Sequence, residues 1–457
     1  MQKLKSLRPV KEILFSVFYL LASGAVFIKL ALRKSAEPSL FGWYSLPYLA
    51  FLILLAGGLT LFGRVLARRR FRILQILLVN AMVLAGCLLP MELAAQAYAY
   101  FHPSYEVLAW QPDRDMGWKL VPHLHWIWAG NDWFARDFVV PLAANSYGFL
   151  DLERKEEKPA DTIRIALLGD SFVEAAQVSF EKTAGHLLEE KMNGRAKESL
   201  EKLPHFEVLN FGISCFGVGQ YLLAWEKYAS RFEPDYVFLF VSGRQMERTV
   251  LRYESGQFSE TREEKLWIRP TFRMEKENLV REPARDFDRF VEVDRRLLET
   301  RFKDGTRIKR RNGFLIGDFL RDLRNIGKFY FEAPLRQLQR QFSNPPHSGI
   351  LGMEAAVFRV NVKVMEVLGG QVSRRGGHLV IVDVFGYFDS HLSSPSRRLR
   401  KLCLEKGWGY VPLTNDLWKA RREGIAVQWA HDGHFNEAGN RIFAEAMYRW
   451  LVNHVEI

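Results

Sequence analysis

Apolar positions fall into two regimes along this chain. The first hundred residues hold three long apolar runs, at 13–32, 43–63 and 73–95, interrupted only by Lys29 and Glu92. Each is close to the ~20 residues that cross a bilayer's hydrocarbon core, so the pattern predicts three transmembrane helices within an anchor of residues 1–100. From Thr162 onward, apolar runs of strand length alternate with segments of helical periodicity. The predicted strands are 162–168, 206–211, 235–241, 378–384 and 408–413, and the predicted helices are 183–198, 219–232, 353–374, 395–406 and 436–455. Continuous apolar strands joined by helical crossovers predict an α/β fold, a doubly wound parallel five-stranded sheet in three layers. In such sheets chemistry sits beyond the carboxyl ends of the strands.

Two segments do not follow the alternation. Residues 101–161 form an aromatic-rich lead-in with short strand-like pieces. Residues 246–350 are highly charged, with the basic run Arg307–Arg311 and an amphipathic stretch carrying Leu315, Phe319, Leu323, Ile326 and Tyr330 at helical spacing. This reads as an insertion into the α/β domain (162–245 and 351–457): a lid, a membrane-surface helix or a packed accessory piece.

Charge sharpens the picture. The net charge of +12 would suggest nucleic acid, but residues 1–72 carry twelve Lys/Arg against Glu12 and Glu37, or 12 − 2 = +10. The basicity therefore flanks apolar runs, and no nucleic-acid partner is expected. With the N-terminus inside, the inner flanks hold nine of those twelve cations and the outer loop holds Lys29, Arg33 and Lys34. The positive-inside rule then predicts a multi-pass protein of the plasma (inner) membrane with its α/β domain extracytoplasmic. The first run lacks a clean small-x-small cleavage site and reads as a retained anchor. Three cysteines (Cys87, Cys215, Cys403) are too few for a disulfide framework; Cys215 and Cys403 could pair in an oxidising compartment but read as two separate buried thiols. His123 and His125, two apart in an aromatic loop, read as packing residues, and neither a metal nor another cofactor is called for.

The first strand of the sheet ends in Gly169-Asp170-Ser171-Phe172-Val173-Glu174. A serine in a tight turn between buried strand and helix is either a helix N-cap or an exposed nucleophile beside a helix N-terminus. The second strand ends in Asn210-Phe211-Gly212-Ile213-Ser214, and His431-Asp432-Gly433-His434-Phe435-Asn436-Glu437-Ala438-Gly439 precedes the last helix. Together these segments resemble the blocks of the SGNH/GDSL hydrolase superfamily, over about residues 140–455 without the insertion. Asn145-Ser146-Tyr147-Gly148 resembles the lead-in of its membrane-anchored bacterial members. The resemblance implies Ser171 as nucleophile, His434 as its base and Asp432 as the residue orienting the imidazole, with the Ser171 and Gly212 N–H groups holding the oxyanion. A serine hydroxyl needs such a base at neutral pH. His431 finds no counterpart and reads as structural.

Two departures stand out. One residue, Gly433, separates Asp432 from His434 where the family commonly has two. After the third strand the chain reads Ser242-Gly243-Arg244-Gln245-Met246-Glu247, so Gln245 falls where the family's oxyanion Asn is expected, and Arg244 is an alternative charged donor. The function implied is a serine esterase or deacylase acting on an ester of an envelope carbohydrate or lipid, with the bilayer as its other partner. O-acyl transfer to a polysaccharide would use the same residues. A decayed, non-catalytic binding module is the third reading, motivated by Gln245.

Overall fold

The computed structural model describes residues 39–40, 44–45, 90–94, 97, 105–130, 137–198, 204–253, 267–302, 307–310, 347–388, 393–430 and 432–454. The expected spans lie outside these residues apart from 44–45 and 90–94, as do Cys87, His431 and the 315–330 stretch. Among the described residues no helix is long and apolar enough to cross a membrane. The chain divides into two compact units, residues 1–106 with 297–344 and residues 107–296 with 345–457. The second holds every candidate site residue.

Its centre is a parallel five-stranded sheet of β1 (Thr162–Leu168), β2 (His205–Asn210), β3 (Tyr236–Val241), β4 (His378–Asp383) and β5 (Gly409–Val411), in the spatial order β2-β1-β3-β4-β5. The strands read as unbroken apolar runs because helices cover both faces. On one face Ile165, Leu167, Val208, Phe238, Phe240, Val380 and Val382 pack into a core with three helices. These are α2 (Ala184–Glu198), α7 (Leu413–Arg422) and α8 (Glu437–His454). The alternate residues, Leu168, Leu209, Leu239 and Ile381, point the other way and are equally buried. There α3 (Val218–Lys227) and α5 (His347–Arg374) close the third layer.

The chain runs from β1 to β2 on one side and returns to β3 on the other, so the switch point lies between β1 and β3. The carboxyl ends of β1, β2 and β3 meet there. After β1 comes the short helix α1 (Ser171–Glu174), and after β3 comes α4 (Gly243–Val250). The lead-in folds into two antiparallel hairpins, Trp110–Asp113 with Gly117–Leu120 and His125–Ala129 with Val139–Ala143. The charged segment contributes a third, Thr271–Glu275 with Asn278–Glu282, followed by a helix over Phe287–Arg301. The Asn145 to Gly148 segment is a turn in which Asn145 Oδ1 accepts from the N–H groups of Tyr147 and Phe149. Cys215 and Cys403 are not joined in a disulfide.

Candidate active site

Ser171 opens α1, and Asp170 caps it by accepting the Phe172 N–H on its side chain at 3.2 Å. As the first helical residue, Ser171 has no intrahelical acceptor for its own N–H. Its Oγ lies 2.8 Å from His434 Nε2, and His434 Nδ1 lies 2.5 Å from Asp432 Oδ1. A carboxylate only accepts, so Nδ1 carries the ring proton and Nε2 is left as the acceptor for the Ser171 hydroxyl. Residues 263 apart in sequence thus form one hydrogen-bonded chain.

The His434 imidazole is held from two directions. Gly433 has φ +83°, a left-handed conformation that glycine adopts without strain. That turn curls Asp432 back so that Oδ1 also accepts the His434 N–H at 3.2 Å. The spacing that departs from the family pattern therefore still closes the pair. On the other side the Phe172 ring lies 5.1 Å from the imidazole centroid and stacks on Phe240 at 5.7 Å. Burial pulls the His434 pKa down. The hydrogen bond and charge of Asp432, with smaller contributions from Asp170 and Glu174, outweigh it and leave the imidazole above its ordinary 6.5.

Gly212 packs on the turn that carries Ser171, where a Cβ would overlap Glu174 N and the Val173 carbonyl carbon. Its N–H donates to Asn210 Oδ1 at 2.9 Å. Gln245 is buried; its Nε2 donates to Asp170 Oδ2 at 2.7 Å and its Oε1 accepts from Ser242 Oγ. Arg248, one turn further along α4, donates to the same Asp170 oxygen at 3.0 Å, and both side chains are buried. The segment after β3 therefore faces Asp170, the residue that caps α1. Arg244 lies on the exposed side of α4.

Several partners in this site were not picked out by sequence reasoning. Glu174, at the end of the quoted first block, is 1 % exposed, and its Oε2 accepts both the N–H and the Oγ of Ser214. Burial pushes its carboxyl up to about 7, against the Ser214 bonds and the His434 charge. Trp118 of the first hairpin donates from Nε1 to the Ser214 carbonyl at 3.1 Å. Asp137 accepts the Asp432 N–H at 3.1 Å, and Phe138 packs on Trp429 at 5.6 Å. The lead-in hairpins thus reach both sides of the site. His123 sits at a turn 3.9 Å from Glu153, and His125 is exposed on the second hairpin. Among the described residues no group of three metal-ligating side chains occurs.

No family model and no curated protein matches this sequence. Solved structures do. An α/β hydrolase enzyme from the metagenome of Lake Arreo is 12% identical, over 63% of this chain and 94% of that one, with a TM-score of 0.34. An acetyl xylan esterase is 12% identical over 63% and 98%, with a TM-score of 0.33. A member of the lipolytic G-D-S-L family from Veillonella parvula is 11% identical over 64% and 98%, with a TM-score of 0.31. Likeness at this level assigns neither activity nor substrate.

Proposed function

We propose that this chain is a serine ester hydrolase of the SGNH/GDSL type. The observation that carries the reading is the chain Ser171 Oγ to His434 Nε2 to Asp432 at the switch point of the sheet. Ser171 attacks the ester carbonyl as His434 takes its proton, and Asp432 stabilises the imidazolium. The alcohol leaves with that proton, and water attacks the acyl-Ser171 ester by the reverse transfer. The oxyanion hole is built around the Ser171 N–H. Gly212 joins it by giving up Asn210 Oδ1, and Gln245 through the second Nε2 hydrogen that its Asp170 bond does not use.

The finer reading rests on the sequence. The substrate is an ester of an envelope carbohydrate or lipid, met by a domain anchored to the membrane by residues 1–100 and facing away from the cytoplasm. A polysaccharide hydroxyl in place of water would make the same acyl-serine an O-acyltransferase intermediate. The commitment of Gln245 to Asp170 favours, as a second reading, a binding module without turnover.

Hydrolysis of p-nitrophenyl acetate tests the proposal. The full-length protein is expected to turn it over, and His434→Ala to lose ~10⁴-fold or more. Equal rates in the two proteins contradict the triad, and absence of turnover in both supports the binding module.

A further inference from the structure

The loop that follows β2 (211–216) runs past the nucleophile's helix, and its conformation is not a relaxed one. Cys215 has φ +66°, a left-handed conformation that glycine adopts freely and a residue with a Cβ does not. Such residues persist where neighbours over-determine them, and they cluster at functional sites. The neighbours here close on Ser214, the residue just before. Its N–H and its Oγ both donate to Glu174 Oε2, and its carbonyl accepts from Trp118 Nε1. Trp118 is fully buried, so all three polar groups of Ser214 are held by side chains that themselves have little freedom.

Glu174 stands at the end of the four-residue helix that Ser171 opens. Its Oε1 is buried with no hydrogen-bond partner among the described residues. Leaving a carboxylate oxygen buried and unpaired is costly, and an isolated capping or packing role would not require it. A carboxylate at this point does one thing that apolar packing cannot: it ties the loop after β2 rigidly to the helix that carries the nucleophile.

We propose that Glu174 is a positioning residue for the reaction at Ser171, clamping Ser214 between itself and Trp118 so that the 211–216 backbone is held in register with the nucleophile. This rests on the ester-hydrolase reading, because the loop's value lies in contacts made as the carbonyl becomes tetrahedral. The clamp acts through Ser214 and touches no substrate.

Full-length wild type, Glu174→Gln, Glu174→Ala and Ser214→Ala are compared in steady-state ester hydrolysis, and amide hydrogen exchange of residues 211–216 is followed in each. The Gln variant keeps an acceptor for both Ser214 donors and is expected to stay within about threefold of wild-type kcat. The Ala variant is expected to lose ~10²-fold in kcat with KM within about twofold, the scale of one oxyanion donor, and its loop amides to exchange ~10-fold faster. Ser214→Ala, which removes one of the three bonds and leaves the fold intact, falls between them. Loop exchange unchanged in Glu174→Ala overturns the clamp whether or not the wild type turns over ester. An active wild type with Glu174→Ala equally active also overturns it. A wild type without turnover, whose loop nonetheless loosens in Glu174→Ala, keeps the clamp and removes the hydrolase reading instead.

Discussion

Asp432 and His434 are bonded to each other twice, through the ring Nδ1 and through the backbone N–H, across a single left-handed glycine. This short closure makes the pair an almost rigid unit, which the Phe172 ring and the Ser171 hydroxyl then meet. It also places the Asp432 carboxylate on the same loop as the His434 imidazole, with no help needed from a strand end.

Gly433 is therefore expected to be intolerant of substitution although nothing crowds it. Open space surrounds its position, so Gly433→Ala is penalised only through φ +83°. The cost is about 1–2 kcal/mol at that residue. If the turn relaxes to negative φ the carboxylate leaves the imidazole. The expected result is a ~10- to 100-fold loss in kcat/KM with a far smaller change in melting temperature, read by steady-state kinetics and thermal denaturation.

The pH profile follows from the raised His434 pKa. The imidazole must be neutral to accept the Ser171 proton, and its pKa lies above 6.5. Base function is thus lost as pH falls through that raised value, and the acid limb of kcat/KM has its midpoint above 6.5. Asp432→Asn removes the largest upward influence and moves the limb to lower pH. A wild-type midpoint well below 6.5, or one unmoved in Asp432→Asn, contradicts the assignment.

Glu174 makes stability fall with rising pH. Its carboxyl titrates near 7 in the fold against an ordinary 4.5. Between those values the folded state binds more protons than the unfolded, so its contribution is full below 4.5 and is lost as pH rises through about 7. Glu174→Gln removes the buried charge while keeping the acceptor. Its melting temperature is expected to exceed wild type at about pH 8, with the gap closing in acid.

The Asp170–Arg248 pair is buried on both sides. Arg248→Met leaves Asp170 with Gln245 but without its compensating charge, and is expected to destabilise the domain by about 3–5 kcal/mol. Denaturant melts check this. The double variant Asp170→Asn/Arg248→Met should recover part of the loss.

The sheet was legible because its strands are apolar throughout, and β1, β2, β3 and β4 lie within a residue of their expected bounds. The helices outside the expected ranges include α4 and α7. In α7, Leu413, Leu417 and Ala420 carry the buried face, but Leu413 had been absorbed into the preceding strand. In α4 the buried face is Gln245, Met246, Arg248 and Thr249, a largely polar surface that a hydropathy pattern reads as exposed. The candidate helix over 219–232 ends at Lys227 and continues as a 3₁₀ turn over Ala229–Phe232 before left-handed Glu233. The candidate site divides in the same way. Ser171, Asp432 and His434 could be found from local blocks, whereas the commitments of Gln245, Glu174 and Trp118 depend on which buried polar groups meet across the fold. No periodicity records that pairing.

Covalent labelling tests the central claim most directly. A fluorophosphonate probe is added to the full-length protein, and the modified peptide is mapped by mass spectrometry. The account predicts one adduct, on Ser171, absent in Ser171→Ala and slowed in His434→Ala. An adduct that persists in Ser171→Ala, or one mapped to another residue, would contradict it.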